Sequence, residues 1–197
     1  MVDAAIFADT QAESKETYEF LKWIKSKLSY PVYIISKGNL TDQLLNSDFP
    51  IAPFYSSNII TGKKGLMMRQ CTNDYKIQPI IQKVRQLLGL KKRQKIKKHI
   101  KVEMLMGISK DEIFRIRPNR MPYITNIYPL IDKNMRRQDC INWFNKYYDK
   151  TPPRSACIYC PYKNDKEWKH IKENQPEEWK QVIEFDNFIK YSTYYLF

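Results

Sequence analysis

Glycine is scarce in this chain. The five glycines, at positions 38, 62, 65, 89 and 107, never gather into the glycine- and serine-rich loop that cradles phosphate at a helix N-terminus. There is no run of about eighteen apolar residues, so no membrane-spanning helix is expected. The first nine residues, Met1 to Asp9, lack a basic leader and carry acids in their apolar run, which excludes a secretory signal peptide from the reading. Cysteine is limited to four residues. Without a secretory signal these are expected to be reduced thiols, and the protein cytoplasmic. Internal repeats and low-complexity tracts are absent.

What is there is basic. The 197 residues carry a net charge of +13, which attracts polyanions: nucleic acid, nucleotides or acidic protein surfaces. A lysine excess from an AT-rich coding sequence would look the same. The length suits a single domain, 1–197. Within it we expect an α/β sheet core over 1–135 and a helical region over 136–197. Ala4 to Ala8 reads as a buried parallel strand ending in Asp9-Thr10-Gln11. Ser14 can cap a helix that places Leu21, Ile24 and Leu28 on one face, and Pro31 to Ser36 reads as a second strand. Strand, helix, strand in this order is the βαβ pattern of a parallel sheet.

From Gly38 to Gly65 the chain reads as a loop, either a lid over substrate or a surface connection. A helix from Pro79 should bury Ile80, Ile81, Val84, Leu87 and Leu88 and stop at Gly89. The stretch 91–99, KKRQKIKKH, holds six lysines and arginines and is either a solvated connection or a phosphate contact. Val102 to Ile108 reads as a strand broken by Gly107. A helix near Arg136 to Tyr147 aligns Cys140, Ile141 and Phe144. Asp165 can cap a helix with Trp168 and Ile171, and a last helix from Pro176 carries Trp179, Val182, Ile183 and Ile189.

The strongest local signal is Cys157-Ile158-Tyr159-Cys160-Pro161. Its spacing lets two sulfurs reach one metal or each other. Cys71 and Cys140 are the remaining thiols, so all four form a candidate ligand set for a 4Fe-4S cluster or zinc, which spacing alone does not distinguish. Cys140 equally suits plain core. Arg69 and Lys76 should draw Cys71 toward thiolate.

The motifs Ala5-Ile6-Phe7-Ala8-Asp9-Thr10, Arg69-Gln70-Cys71-Thr72, Tyr75-Lys76-Ile77-Gln78-Pro79, Gly107-Ile108-Ser109-Lys110-Asp111-Glu112, Tyr128-Pro129-Leu130-Ile131 and Cys157-Ile158-Tyr159-Cys160-Pro161 occur in that order. Together, over roughly residues 4–185, they resemble the phosphoadenosine phosphosulfate (PAPS) reductase-like proteins, phage-type members included. These belong to the PP-loop ATP pyrophosphatase, or adenine nucleotide alpha-hydrolase, superfamily. The resemblance implies a Rossmann-like parallel sheet flanked by helices, with a cysteine-containing helical C-terminal part. It implies an adenine nucleotide or sulfonucleotide at the carboxyl ends of the strands, beside an iron–sulfur cluster or zinc, in sulfur transfer or nucleotide activation.

Residue by residue, nucleotide-binding roles fall on Asp9, Thr10, Arg69, Lys76, Ser109, Asp111 and Glu112. Asp9 is otherwise a capping acid, and Ser109, Asp111 and Glu112 are otherwise a helix cap and its first turn. The chain departs from the family in three places. Thr72 replaces the second cysteine of a pair, the Ser-Gly-Gly PP-loop is missing, and the tail ending in Phe197 lacks the reductase nucleophile. No catalytic nucleophile is assigned. Two other readings remain open: a nucleic-acid-directed thiolation or phosphorothioation protein, and a non-catalytic module with structural zinc.

Overall fold

The computed structural model describes residues 1–46, 51–57, 61–66, 68–148 and 150–191. The apolar run at the N-terminus forms strand β1 (Ala5–Asp9), which pairs in parallel with β2 (Val32–Ser36), Ala5 opposite Val32 and Asp9 opposite Ser36. Helix α1 (Lys15–Lys25) connects them. It starts where expected, because the Ser14 hydroxyl accepts from the Thr17 amide. Leu28 lies beyond its end.

The segment read as a loop contains helix α2 (Leu40–Leu45), capped by the Asn39 side chain, and an antiparallel pair, β3 (Tyr55–Ser57) with β4 (Lys64–Leu66). Leu40 and Leu44 of α2 are each only 1% exposed. Burying each one stabilises by roughly 1.5–3 kcal/mol. Residues 47–50 and 58–60 of the expected lid lie outside the described residues. A π-helical turn (Thr72–Ile77) then runs into α3 (Gln78–Leu87). Ile81 and Val84 are buried as expected, but Leu87 is 45% exposed. Gly89 follows at φ +69°, the left-handed conformation that ends a helix cheaply only at glycine.

Strand β5 (Val102–Leu105) pairs in parallel with β6 (Ile124–Ile127), a strand hidden from the sequence reading within the proline- and arginine-rich stretch. A 3₁₀ turn (Lys110–Arg115) lies between them. Helices α4 (Pro129–Asp132) and α5 (Arg137–Tyr148) follow. Helix α6 (Asp165–Asn174) is capped by Asn164 rather than Asp165, in a reciprocal box with Glu167. Helix α7 (Pro176–Tyr191) buries Val182 and Phe185, while Ile183 is 41% exposed.

The architecture is mixed α/β with small sheets and flanking helices. The expected large Rossmann-like sheet is replaced by three separate two-stranded sheets among the described residues, two of them parallel. The parallel β1–β2 pair accounts for the βαβ signal at the N-terminus, and α3 packs on both strands.

The chain divides into two units. Unit 1 is Met1–Leu88 with Arg154–Phe197, and unit 2 is Gly89–Pro153. The boundary expected at 135/136 falls within unit 2. The main apolar core belongs to unit 1, where Ala12, Leu40, Leu44, Ala52, Phe54, Tyr75, Ile158, Tyr159, Val182 and Phe185 pack together. In unit 2 the buried apolar side chains are Ile108 and Ile124. No helix of the described residues is long and apolar enough to cross a membrane.

Candidate functional site

At the carboxyl end of β1 the chain turns sharply. Gln11 takes a φ of 57°, and its amide donates to the Asp9 carboxylate at 2.8 Å. The Tyr18 hydroxyl donates to the same oxygen, also at 2.8 Å. Burial pushes the Tyr18 phenol well above its usual range, with Asp9 adding to the effect, so Tyr18 remains a donor. Asp9 thus fastens the turn after β1 and does not cap α1, whose cap is Ser14.

Thr10, 1% exposed, accepts from the Leu40 amide through its carbonyl at 2.9 Å. Its hydroxyl lies 3.4 Å from the Cys157 sulfur. The Cys-x-x-Cys turn is therefore docked onto the end of β1. An isolated antiparallel bridge between Glu13 and Cys157, with the Ile158 amide donating to the Ala12 carbonyl at 2.8 Å, completes the attachment.

The centre of this junction is Glu13, which the sequence reading did not single out. Its side chain is fully buried. One carboxylate oxygen receives Lys76 Nζ at 3.2 Å and the other accepts from the Ser155 hydroxyl at 3.0 Å. Three segments distant in sequence are tied by one carboxylate. A buried acid must be paired and hydrogen-bonded to be tolerated, and here both oxygens are. The only sequence signal was position: Glu13 lies just beyond a strand end, where open α/β sheets place functional groups.

The thiols gather partly. Cys71 and Cys157 both pack against the unit 1 core. Burial pushes the Cys157 thiol up to about 11, although the Thr10 hydroxyl opposes it. Cys71 is also raised: burial outweighs Arg69 and Lys76, so the expected drift toward thiolate is reversed. Arg69 stacks over the Tyr162 ring at 5.0 Å. Lys163, close to Cys160, is pushed down by burial.

Cys140 belongs to unit 2, where burial and then Asp139 raise its thiol. Among the described residues no three His, Cys, Asp or Glu side chains are grouped to hold a metal ion. Within unit 1, Cys71, Cys157 and Cys160 are not grouped as three ligands of one iron–sulfur cluster or zinc ion.

The remaining expected nucleotide ligands lie in unit 2. Ser109 is buried at the N-cap position of the 3₁₀ turn, but its side chain makes no capping bond. Asp111 accepts from the Arg137 amide at 2.7 Å, and Glu112 pairs with Arg115 at 2.6 Å, so these two carboxylates are engaged within the unit.

A cavity of about 850 Å³ opens in unit 1 beside the junction, lined from the turn after β1 and from α1, α2, the Cys-x-x-Cys turn and α7. Tyr18, Tyr159, Phe185 and Phe188 supply aromatic surface. The Tyr159 and Phe185 rings stack at 4.1 Å, and the Tyr159 hydroxyl meets Thr41 at 3.1 Å. Its polar lining is acidic: Glu19, Asp42, Glu177, Glu178 and Glu184 against Lys15. On a basic protein this cleft suits a base, sugar or amine better than a polyphosphate, whose charge would need Arg69 and Lys76 beyond the lining.

No protein-family description matches the chain. No solved structure matches it. An uncharacterized protein of Methanocaldococcus jannaschii is 24% identical over 195 residues, covering 90% of this chain. The chain spans 41% of that relative's length.

Proposed function

We propose that unit 1 is a PAPS-reductase-like module that takes the nucleoside end of an adenine nucleotide or sulfonucleotide into the cleft beside Cys71, Cys157 and Cys160, in sulfur transfer or nucleotide activation. The observation that carries this reading is the docking of the Cys-x-x-Cys turn on the carboxyl end of β1, through Thr10–Cys157 and Glu13–Cys157, next to the 850 Å³ cavity. Ligands of parallel α/β sheets lie at that end. The order of motifs from Asp9 through Cys160 supports it independently.

In this reading the aromatic wall holds the base and the cleft carboxylates accept from ribose hydroxyls or the exocyclic amine. Arg69 and Lys76 face the phosphate or sulfate. Lys76 would do so while bound to Glu13, which costs it part of its positive field. Cys157 keeps its proton at neutral pH and serves as a hydrogen-bonded structural thiol, which leaves Cys160 and Cys71 to meet a ligand. Any cluster or zinc would take its thiolates from Cys71, Cys157 and Cys160. Their present placement does not fit one, and no step is derived through a metal.

Titration calorimetry with ATP, adenylyl sulfate and PAPS, on protein purified without oxygen, tests the reading. Saturable binding weakened about tenfold by Phe188→Ala is expected, as for removal of one aromatic surface from under a base. No binding of any of the three would overturn it.

A further inference from the structure

The positive charge of the chain is unevenly placed. Unit 2, residues 89–153, holds 16 lysines and arginines against 6 aspartates and glutamates, a net +10. Unit 1 has 18 against 15, a net +3. All sixteen basic side chains of unit 2 are exposed. A solvated connection accounts for the run at 91–99 but not for the rest. Arg115, Arg117, Arg120, Arg136, Arg137 and Lys146 are dispersed over the 3₁₀ turn, the approach to β6 and helix α5.

The same unit exposes aromatic surface. Helix α5 has no buried residue. On it Trp143 is 45% exposed and Tyr147, one turn on, 57%, their ring centroids 5.0 Å apart. Phe114, on the 3₁₀ turn, is 70% exposed. That turn is fastened to the start of α5 by the Arg137 amide on Asp111. Lys146 sits over the Tyr147 ring at 5.4 Å. Exposed rings among exposed cations are the two ingredients of single-strand recognition: cations follow the phosphates, and rings accept the faces of unpaired bases. A duplex supplies the phosphates but keeps its base faces stacked, and an acidic protein supplies carboxylates without the regular phosphate spacing and the run of successive planar faces that a single strand offers.

We propose that residues 89–153 form a docking surface for single-stranded nucleic acid, its lysines and arginines neutralising the backbone and Trp143 and Tyr147 stacking on bases. The surface is independent of the cleft in unit 1 and stands whether or not that cleft takes a nucleotide.

The test uses the full chain and fluorescence anisotropy with labelled oligo-uridylate and oligo-thymidylate of about 20 nucleotides, and a duplex of that length, from about 50 to about 200 mM KCl. Both single strands should bind more tightly than the duplex. Trp143→Leu and Tyr147→Leu should each weaken single-strand binding about tenfold and leave duplex binding unchanged. Replacing Lys95, Lys97 and Lys98 by Gln should flatten the plot of log affinity against log salt by about two units, at roughly 0.7 for each phosphate no longer neutralised. Phe188→Ala, in the cleft, should change none of this, which separates failure of the two proposals. Circular dichroism melts confirm that each variant is folded. Three results would each overturn the proposal: no saturable binding at the lowest salt, ring variants indistinguishable from the parent, or polyglutamate displacing the strand as well as unlabelled nucleic acid does.

Discussion

The two units solve opposite problems with the same amino acids. Unit 1 hides an ion pair and a ten-residue apolar cluster, and its carboxylates line a cleft. Unit 2 leaves its sixteen basic side chains and three rings of α5 in water and buries few apolar groups. Each unit exposes some rings, Tyr55 at 74% in unit 1 and Tyr147 at 57% in unit 2, but only unit 1 buries them in a core, as at Tyr75, Tyr159 and Phe185. The difference between the units is that in unit 2 the exposed rings stand among a large excess of exposed cations.

The contrast is broken most severely at its most buried charge. Lys76→Ala leaves the Glu13 carboxylate buried without its cation, and unit 1 should lose about 3–5 kcal/mol in urea unfolding. The double change Glu13→Gln, Lys76→Met should restore much of that, because no uncompensated charge remains. If the single and double variants unfold alike, the pair is not what closes the junction.

Second in size is the pH effect of one thiol in unit 1. Cys157 titrates at about 11 when folded against 9.0 for an ordinary thiol. Below about 9 both states hold the proton and the contribution is full. As pH rises from 9 toward 11 the unfolded chain loses the proton first, so stability falls. The loss approaches roughly 3 kcal/mol at two pKa units. Urea midpoints of the parent should therefore drop more steeply over that window than those of Cys157→Ser, and parallel slopes would remove Cys157 from the account.

A smaller effect is expected at the start of α6. Asn164→Ala removes one half of the capping box and should cost about 1 kcal/mol by thermal melt. The smallest sharpens the other side of the comparison: Trp143→Leu should change stability by no more than about 0.5 kcal/mol, since the ring is half in water. A larger loss would mean that α5 is core, and the two units would no longer differ in kind.

Several of these features were legible in the residues themselves. The apolar run 4–8, the Ser14 cap and the second strand at 31–36 are local signals, and each formed within one residue of its expected bounds, the strands at Ala5–Asp9 and Val32–Ser36. So did α5 and α7, whose apolar spacing is helical, although in α7 Ile183 was read as inward and is exposed while Phe185, not read, is buried with Val182. Helix α2 was hidden because six residues are too few for periodicity to stand out among prolines and polar neighbours. Strand β6 was hidden because arginines and prolines surround it. Glu13 was illegible for a different reason. What makes it central is Lys76 and Ser155, 63 and 142 residues away, and no local pattern announces partners at that distance. The Cys-x-x-Cys turn was found as a motif, but its contact with Thr10 is a property of the fold.

Glu13 also sets a schedule. Unit 1 is interrupted by the 65 residues of unit 2, so its two halves leave the ribosome apart in time. At about 5–20 residues per second, the carboxylate waits roughly 7 to 28 s for Ser155, which is 142 residues downstream. During that interval the end of β1 stays hydrated and the cleft does not exist. The basic segment is by then outside the ribosome, so the nascent chain exposes its excess positive charge before unit 1 can close.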